Sequence, residues 1–103
     1  MDKVYVTKFQ PDWDFQPATE YGEVVFLTEH EMKPEPTVGA YNDLIVKELR
    51  DGLADYLPGH DYVVLTASAT NNFKVANILY AKGGRHNILR WNGRSRHYDL
   101  FKL

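Results

Sequence analysis

Cysteine is absent from this chain of 103 residues, which excludes a disulfide framework, a thiolate zinc site and a catalytic thiol. Long apolar runs are absent as well. None approaches the ~18 residues of a membrane span, and the opening MDKVYVTKF lacks the apolar stretch of a signal peptide. The expectation is a cytoplasmic protein that does not enter a membrane. Glycine is missing where phosphate cradles need it: neither G-x-x-x-x-G-K-[ST] nor G-x-G-x-x-G occurs. Acids are scarce in one half. Residues 62–103 hold seven Lys/Arg and one acid, Asp99, a net of +6; residues 1–61 hold 13 acids and five Lys/Arg, a net of −8. Either the halves complement each other, or a basic face is left for an anionic partner.

What is present is the composition of a globular chain, 44% hydrophobic and 14% aromatic, and the length suits one domain over 1–103. Val4 to Phe9 is a short β-type segment ended by Pro11. Ala18 to Tyr21 suits one helical turn closed by Gly22. Glu23 to Thr28 is an apolar run of the kind covered on both faces of a sheet. From Thr37 to about Leu57, Val38, Tyr41, Ile45, Leu49, Leu53 and Tyr56 recur at three- and four-residue steps. Thr37 can cap that helix, Pro58-Gly59 ends it, and Gly52 weakens it. Tyr62 to Thr66 is a second apolar strand. The helix from about Thr70 to Lys82 is apolar nearly all round, which predicts burial, and Gly83-Gly84 terminates it. Asn92-Gly93 between strand-like runs predicts a two-residue hairpin. In that register Arg94 faces Trp91 and Arg96 faces Leu89.

The order β-β-α-β-α-β-β predicts an α/β fold: one small Rossmann-like domain with a mainly parallel sheet and a C-terminal hairpin. With only two full helices, the loops after the first two strands must cover part of one face. Ligands of such sheets bind beyond the carboxyl ends of the strands. That rule gathers Thr28, Glu29, His30, Thr66, Ser68, Thr70 and Asn71.

The loop Thr66-Ala67-Ser68-Ala69-Thr70 has two readings. Exposed N–H groups at a helix start favour an anion, so Thr28, Thr66, Ser68, Thr70 and Asn71 form a candidate nucleotide or phosphate site. The simpler reading makes Ser68 or Thr70 a helix cap. Ser68 as a nucleophile lacks the G-x-S-x-G elbow, and nothing selects a base among His30, His60, His86 and His97. Glu29-His30-Glu31 are consecutive and do not converge on a metal. No catalytic residue, metal site or cofactor is expected. The second candidate is the basic hairpin, where Arg90, Trp91, Arg94, Arg96 and Lys102 interleave cations with an aromatic ring. The plainer role for those charges is protection of a sheet edge.

The stretch Asp14-Phe15-x-x-Ala18-x-x-Tyr21-Gly22-Glu23-Val24-Val25-Phe26-Leu27-Thr28-Glu29, with Asp61-Tyr62-Val63-Val64-Leu65-Thr66 and Asn87-Ile88-Leu89 after it, resembles short proteins of tailed bacteriophages. Ala67 stands where that pattern commonly has glycine, and His30 replaces another. The resemblance implies a phage origin and brings no catalytic residues with it. The expected function is therefore that of a phage accessory protein acting without catalysis. Its partner would be a host protein or nucleic acid, with a homo-oligomer also compatible, and it would work in the host cytoplasm. The alternative is a nucleotide- or phosphate-binding domain using Thr66 to Asn71.

Overall fold

The computed structural model describes residues 2–36, 39–66 and 68–103. In chain order the elements are β1 (Lys3–Lys8), a 3-10 turn (Gln16–Glu20), β2 (Glu23–Thr28), α1 (Tyr41–Gly52), β3 (Tyr62–Val64), α2 (Ala69–Lys82), β4 (Asn87–Asn92) and β5 (His97–Lys102). They form an α/β fold on one five-stranded sheet of order β2-β1-β3-β4-β5. Four strands run parallel, and β5 pairs antiparallel with β4. The element order expected from sequence is the one observed.

Strand alternation sends successive side chains to opposite faces, and the sheet carries a core on each. On one face Tyr5 and Val63 pack with Ile45 and Leu49 of α1, Leu53 just after it, and Val75 and Leu79 of α2. On the other, Val4, Val6, Val64, Leu89 and Tyr98 pack with Phe15 and Ala18 from the β1–β2 connection. Both helices therefore lie on one face. The connection after β1 covers the other, as expected; the one after β2 does not, since Met32 packs into the helix-side core.

Four expectations need correction. α1 spans Tyr41–Gly52 with Ala40 as its N-cap, while Thr37 and Val38 lie outside the described residues. The helix stops at Gly52, well before Pro58. A Cβ at Gly52 would come within 2.6 Å of Leu27 Cδ2, so this glycine marks close packing of α1 on β2. β2 is an edge strand, and Phe26 is not buried but partly exposed against Phe9 and Phe15. β3 ends at Val64, short of Thr66, and Leu65 is exposed. α2 is not buried all round. It buries Asn71, Val75 and Leu79 and leaves Phe73 and Tyr80 74% and 85% exposed, because only one side of it meets the sheet and α1.

The strand order makes the charge split of the sequence spatial in part. β2 and α1, from the acidic half, stand at one end of the sheet; β4 and β5, from the basic half, stand at the other. Among the described residues only two ion pairs form, Lys47–Asp51 and Arg90–Asp99. Neither joins the two halves.

Candidate functional site

The carboxyl ends of the parallel strands carry two different regions. The first lies at β1, β3 and the start of α2, and its polar groups bond to one another. Thr66 Oγ1 donates to the Lys8 carbonyl (2.8 Å) and accepts from the Lys8 N–H (3.1 Å), and Gln10 Nε2 donates to the Thr66 carbonyl (3.1 Å). Ser68 caps α2, accepting from the Asn71 N–H, and its hydroxyl meets that of Thr70 at 2.9 Å. Thr28 accepts from the His30 N–H. Asn71 is fully buried. Its Oδ1 accepts from the Met32 N–H (3.0 Å) and its Nδ2 donates to the His30 carbonyl (2.9 Å), pinning the β2–α1 loop to α2. The Glu31 carboxylate accepts from the Ser68 N–H at 3.2 and 3.3 Å. An anion already sits at the start of α2, where the helix dipole favours one. The structure thus brings Thr28, Thr66, Ser68, Thr70 and Asn71 together, each tied into these bonds; Ala67 lies outside the described residues.

The second region is the β4–β5 hairpin. Its loop is not the two-residue Asn-Gly turn. Asn92 pairs with His97, so four residues connect the strands. Asn92 Oδ1 accepts from the N–H groups of Arg94 (3.0 Å) and Ser95 (3.3 Å), and Arg96 closes the loop at φ 59°. An asparagine side chain that imitates a backbone turn in this way favours the longer loop over the primed turn. The register moves accordingly: Trp91 opposes Tyr98, Leu89 opposes Leu100 and Arg90 opposes Asp99. Arg94 and Arg96 leave the strand faces for the loop tip and do not share a ladder position with Trp91. Arg90 lies 3.7 Å from Asp99 and stacks over Phe101, its guanidinium 4.7 Å from the ring centre. Lys102 stands at the far end of β5, about 17 Å from the start of that strand at ~3.4 Å per residue, where its carbonyl accepts from Arg85.

Because β3 stops at Val64 while β4 runs on to Asn92, a cleft of about 640 Å³ opens between them. Leu65, Ile88, Phe101 and Leu103 line it, with Trp13 and Trp91 at its side, and Arg90 is its one charged lining residue among the described ones. A smaller cavity of about 260 Å³ continues past Trp13 and Trp91 to Asp12, Asp14 and Tyr98. The chain has two tryptophans. Both are partly exposed, Trp13 at 50% and Trp91 at 40%, and both line both cavities. Sequence reasoning found Trp91 and missed Trp13, Leu65 and Leu103. Trp13 follows β1 and Trp91 lies in β4, so the signal was two tryptophans at carboxyl ends of strands.

The comparison with protein families bears on most of the chain: residues 2–103 match the family described as Phage Pam3 gp32-like protein. The chain belongs to that family. No curated protein and no solved structure matches it. The phage resemblance read from Asp14–Glu29 is thereby shown for nearly the whole length. No helix among the described residues is long and apolar enough to cross a membrane, and no group of three or more His, Cys, Asp or Glu among them is placed to hold a metal.

Proposed function

We propose that this phage protein acts without catalysis in the host cytoplasm, by binding a partner protein through the cleft beside Trp13 and Trp91. The observation that carries the reading is the chemistry of that cleft: apolar, flanked by two exposed tryptophans, with its single lining charge already met by Asp99. Trp and Arg are enriched among the residues on which protein interfaces concentrate binding energy. A nucleic acid fits less well. Its clamp needed Arg94 and Arg96 beside Trp91, and the hairpin register separates them; Asp12 and Asp14 also line the cavity next to Trp13.

The strand order, with connections diverging at β1 and β3, supports a Rossmann-like reading of the fold. A nucleotide or phosphate at Thr28, Thr66, Ser68, Thr70 and Asn71 is the second reading, and Glu31 on the Ser68 N–H weighs against it.

The test compares the wild type with Phe101→Ser and with Arg94→Glu/Arg96→Glu. Each is used for capture from host lysate and for anisotropy titrations with single- and double-stranded DNA and RNA across salt. The expected result is a captured protein lost with Phe101→Ser, and no nucleic-acid binding at moderate salt. Nucleic-acid binding abolished by the arginine reversals and untouched by Phe101→Ser would overturn the reading.

A further inference from the structure

The two helices cover the sheet unevenly. α1 packs on β2, α2 packs on β1, and the 3-10 turn packs on β5 and β2 from the opposite face. On the helix side β4 and β5 present Ile88, half-buried at the margin of the helix-side core, with Phe101, Arg90 and the Asp99 that Arg90 pairs with, since residues directly opposite in an antiparallel pair share a face. No helix among the described residues lies there. The open strip from β3 to β5 is about 10 Å wide, two strand spacings, which is the diameter of an α-helix. The six residues of β4 run for about 20 Å, the length of roughly three to four helical turns.

Three further observations narrow the occupant. Strand addition along β5 meets occupied carbonyls, because Tyr21 Oη donates to the Tyr98 carbonyl and Arg85 to that of Lys102. A second copy presents one strongly exposed aromatic helix face, Phe73 and Tyr80 of α2. That helix carries Lys74 and Lys82 and no acid, so docking it here sets cations against cations. Charge complementarity requires the reverse. Arg94, Arg96 and Lys102 form no ion pair among the described residues, and the chain from residue 62 onward holds one acid.

We propose, resting on the cleft reading above, that the open face of β4 and β5 docks one amphipathic α-helix of a partner protein. Its apolar stripe lies on Ile88, Phe101 and Leu65, and its acidic residues face Arg94 and Arg96. This is helix-in-groove recognition, in which a few apolar anchors give affinity and flanking charges give selectivity.

The experiment selects peptides on the intact protein from two displayed 16-residue libraries. One is patterned as amphipathic helices with acidic and basic residues equally allowed; the other is proline-punctuated and extended. The expected outcome is enrichment of acidic helical peptides that gain helicity on binding. Phe101→Glu should weaken them about 30-fold, the scale of one interface hot spot. Arg94→Glu/Arg96→Glu should weaken them about tenfold, with a shallower dependence on salt. Phe101→Ser serves where Phe101→Glu fails to melt like the wild type. Enriched peptides that are extended or basic, yet lost with the Phe101 variants, overturn the helix and leave the cleft standing. Peptides indifferent to the Phe101 variants, or no enrichment from either library, overturn both. So does tight binding of a labelled single-stranded 20-mer, used as the nucleic-acid arm, that only the arginine reversals abolish.

Discussion

The β1–β3–α2 corner and the β3–β4–β5 cleft lie at the same edge of the same sheet and use opposite chemistry. In the corner, Thr66 is bonded to the Lys8 backbone, Asn71 to Met32 and His30, and Ser68 to Asn71 and Glu31, so a ligand there would have to displace bonds already made. In the cleft, Leu65, Ile88 and Phe101 line apolar space that nothing described in the chain fills. Polar residues clustered at a strand end resemble a site in the sequence. What distinguishes a site from a joint is whether those residues satisfy each other, and the hydrogen bonds decide that.

The sharpest break of this contrast is Asn71→Ala. It empties the fully buried place of the Asn71 side chain and leaves the Met32 N–H and the His30 carbonyl without their partner at part-buried positions. At ~1–3 kcal/mol for each unmet group, a loss of about 2–4 kcal/mol is expected. For a domain of this size that lowers Tm by about 10–20 °C. Phe101→Ser, in the cleft, should stay within about 1 kcal/mol of the wild type, because Phe101 is already half-buried at an open face. Urea melts of the two variants side by side measure the difference. Two large losses would mean that the cleft is core, and two small ones that the corner is not a joint.

The contrast was legible in part. Apolar runs and 3.6-residue periodicity are local, and they located all five strands and both helices to within a few residues. Ser68 as a cap was also readable, since a cap acts within three residues of itself. The hairpin register was not, because Asn92 has two options, a primed turn with Gly93 or a side-chain turn over Arg94 and Ser95, and both suit the sequence. Phe73 and Tyr80 continued an apolar pattern on α2 that exceeds the surface the sheet can cover. The cleft depends on strand order and on β3 ending early, so Trp13 and Trp91 meet only once the fold is known.

At the opposite end of the strands a third polar group gives a mid-sized test of the rule that satisfied groups are joints. The Tyr56 hydroxyl lies 2.7 Å from His86 Nδ1, with the rings stacked. Burial, then the negative charge of Asp61, pushes the Tyr56 pKa up to about 12, while burial pushes His86 below its ordinary value. For Tyr56 the folded pKa is raised, so its contribution is fully present below the unfolded pKa of ~10 and is lost as pH rises to about 12. For His86 the folded state favours the neutral ring. Stability is complete above ~6.5 and falls as pH drops below that value, because the unfolded chain binds the proton more readily. Tyr56→Phe should cost about 1 kcal/mol at pH 7 and remove the tyrosine's part of the alkaline decline. His86→Leu should flatten the acid limb. Chemical melts from pH 5 to 11 read both, and an acid limb unchanged in His86→Leu would show that the pair is not what titrates.

The smallest expected effect is the one that most directly separates joint from site. Glu31→Gln keeps an oxygen near the Ser68 N–H and removes the charge, so at ~0.3–1 kcal/mol for an anion at a helix start the loss should be barely above error. The useful measurement is the response to inorganic phosphate. If Glu31 is the corner's own anion, phosphate leaves the wild-type Tm where it is and raises that of Glu31→Gln, since an external anion then supplies the charge that the helix start has lost. If phosphate or a nucleotide stabilises the wild type while Glu31 is in place, the corner is a site after all. In that case Thr66, Ser68 and Thr70 regain the role that their hydroxyls first suggested.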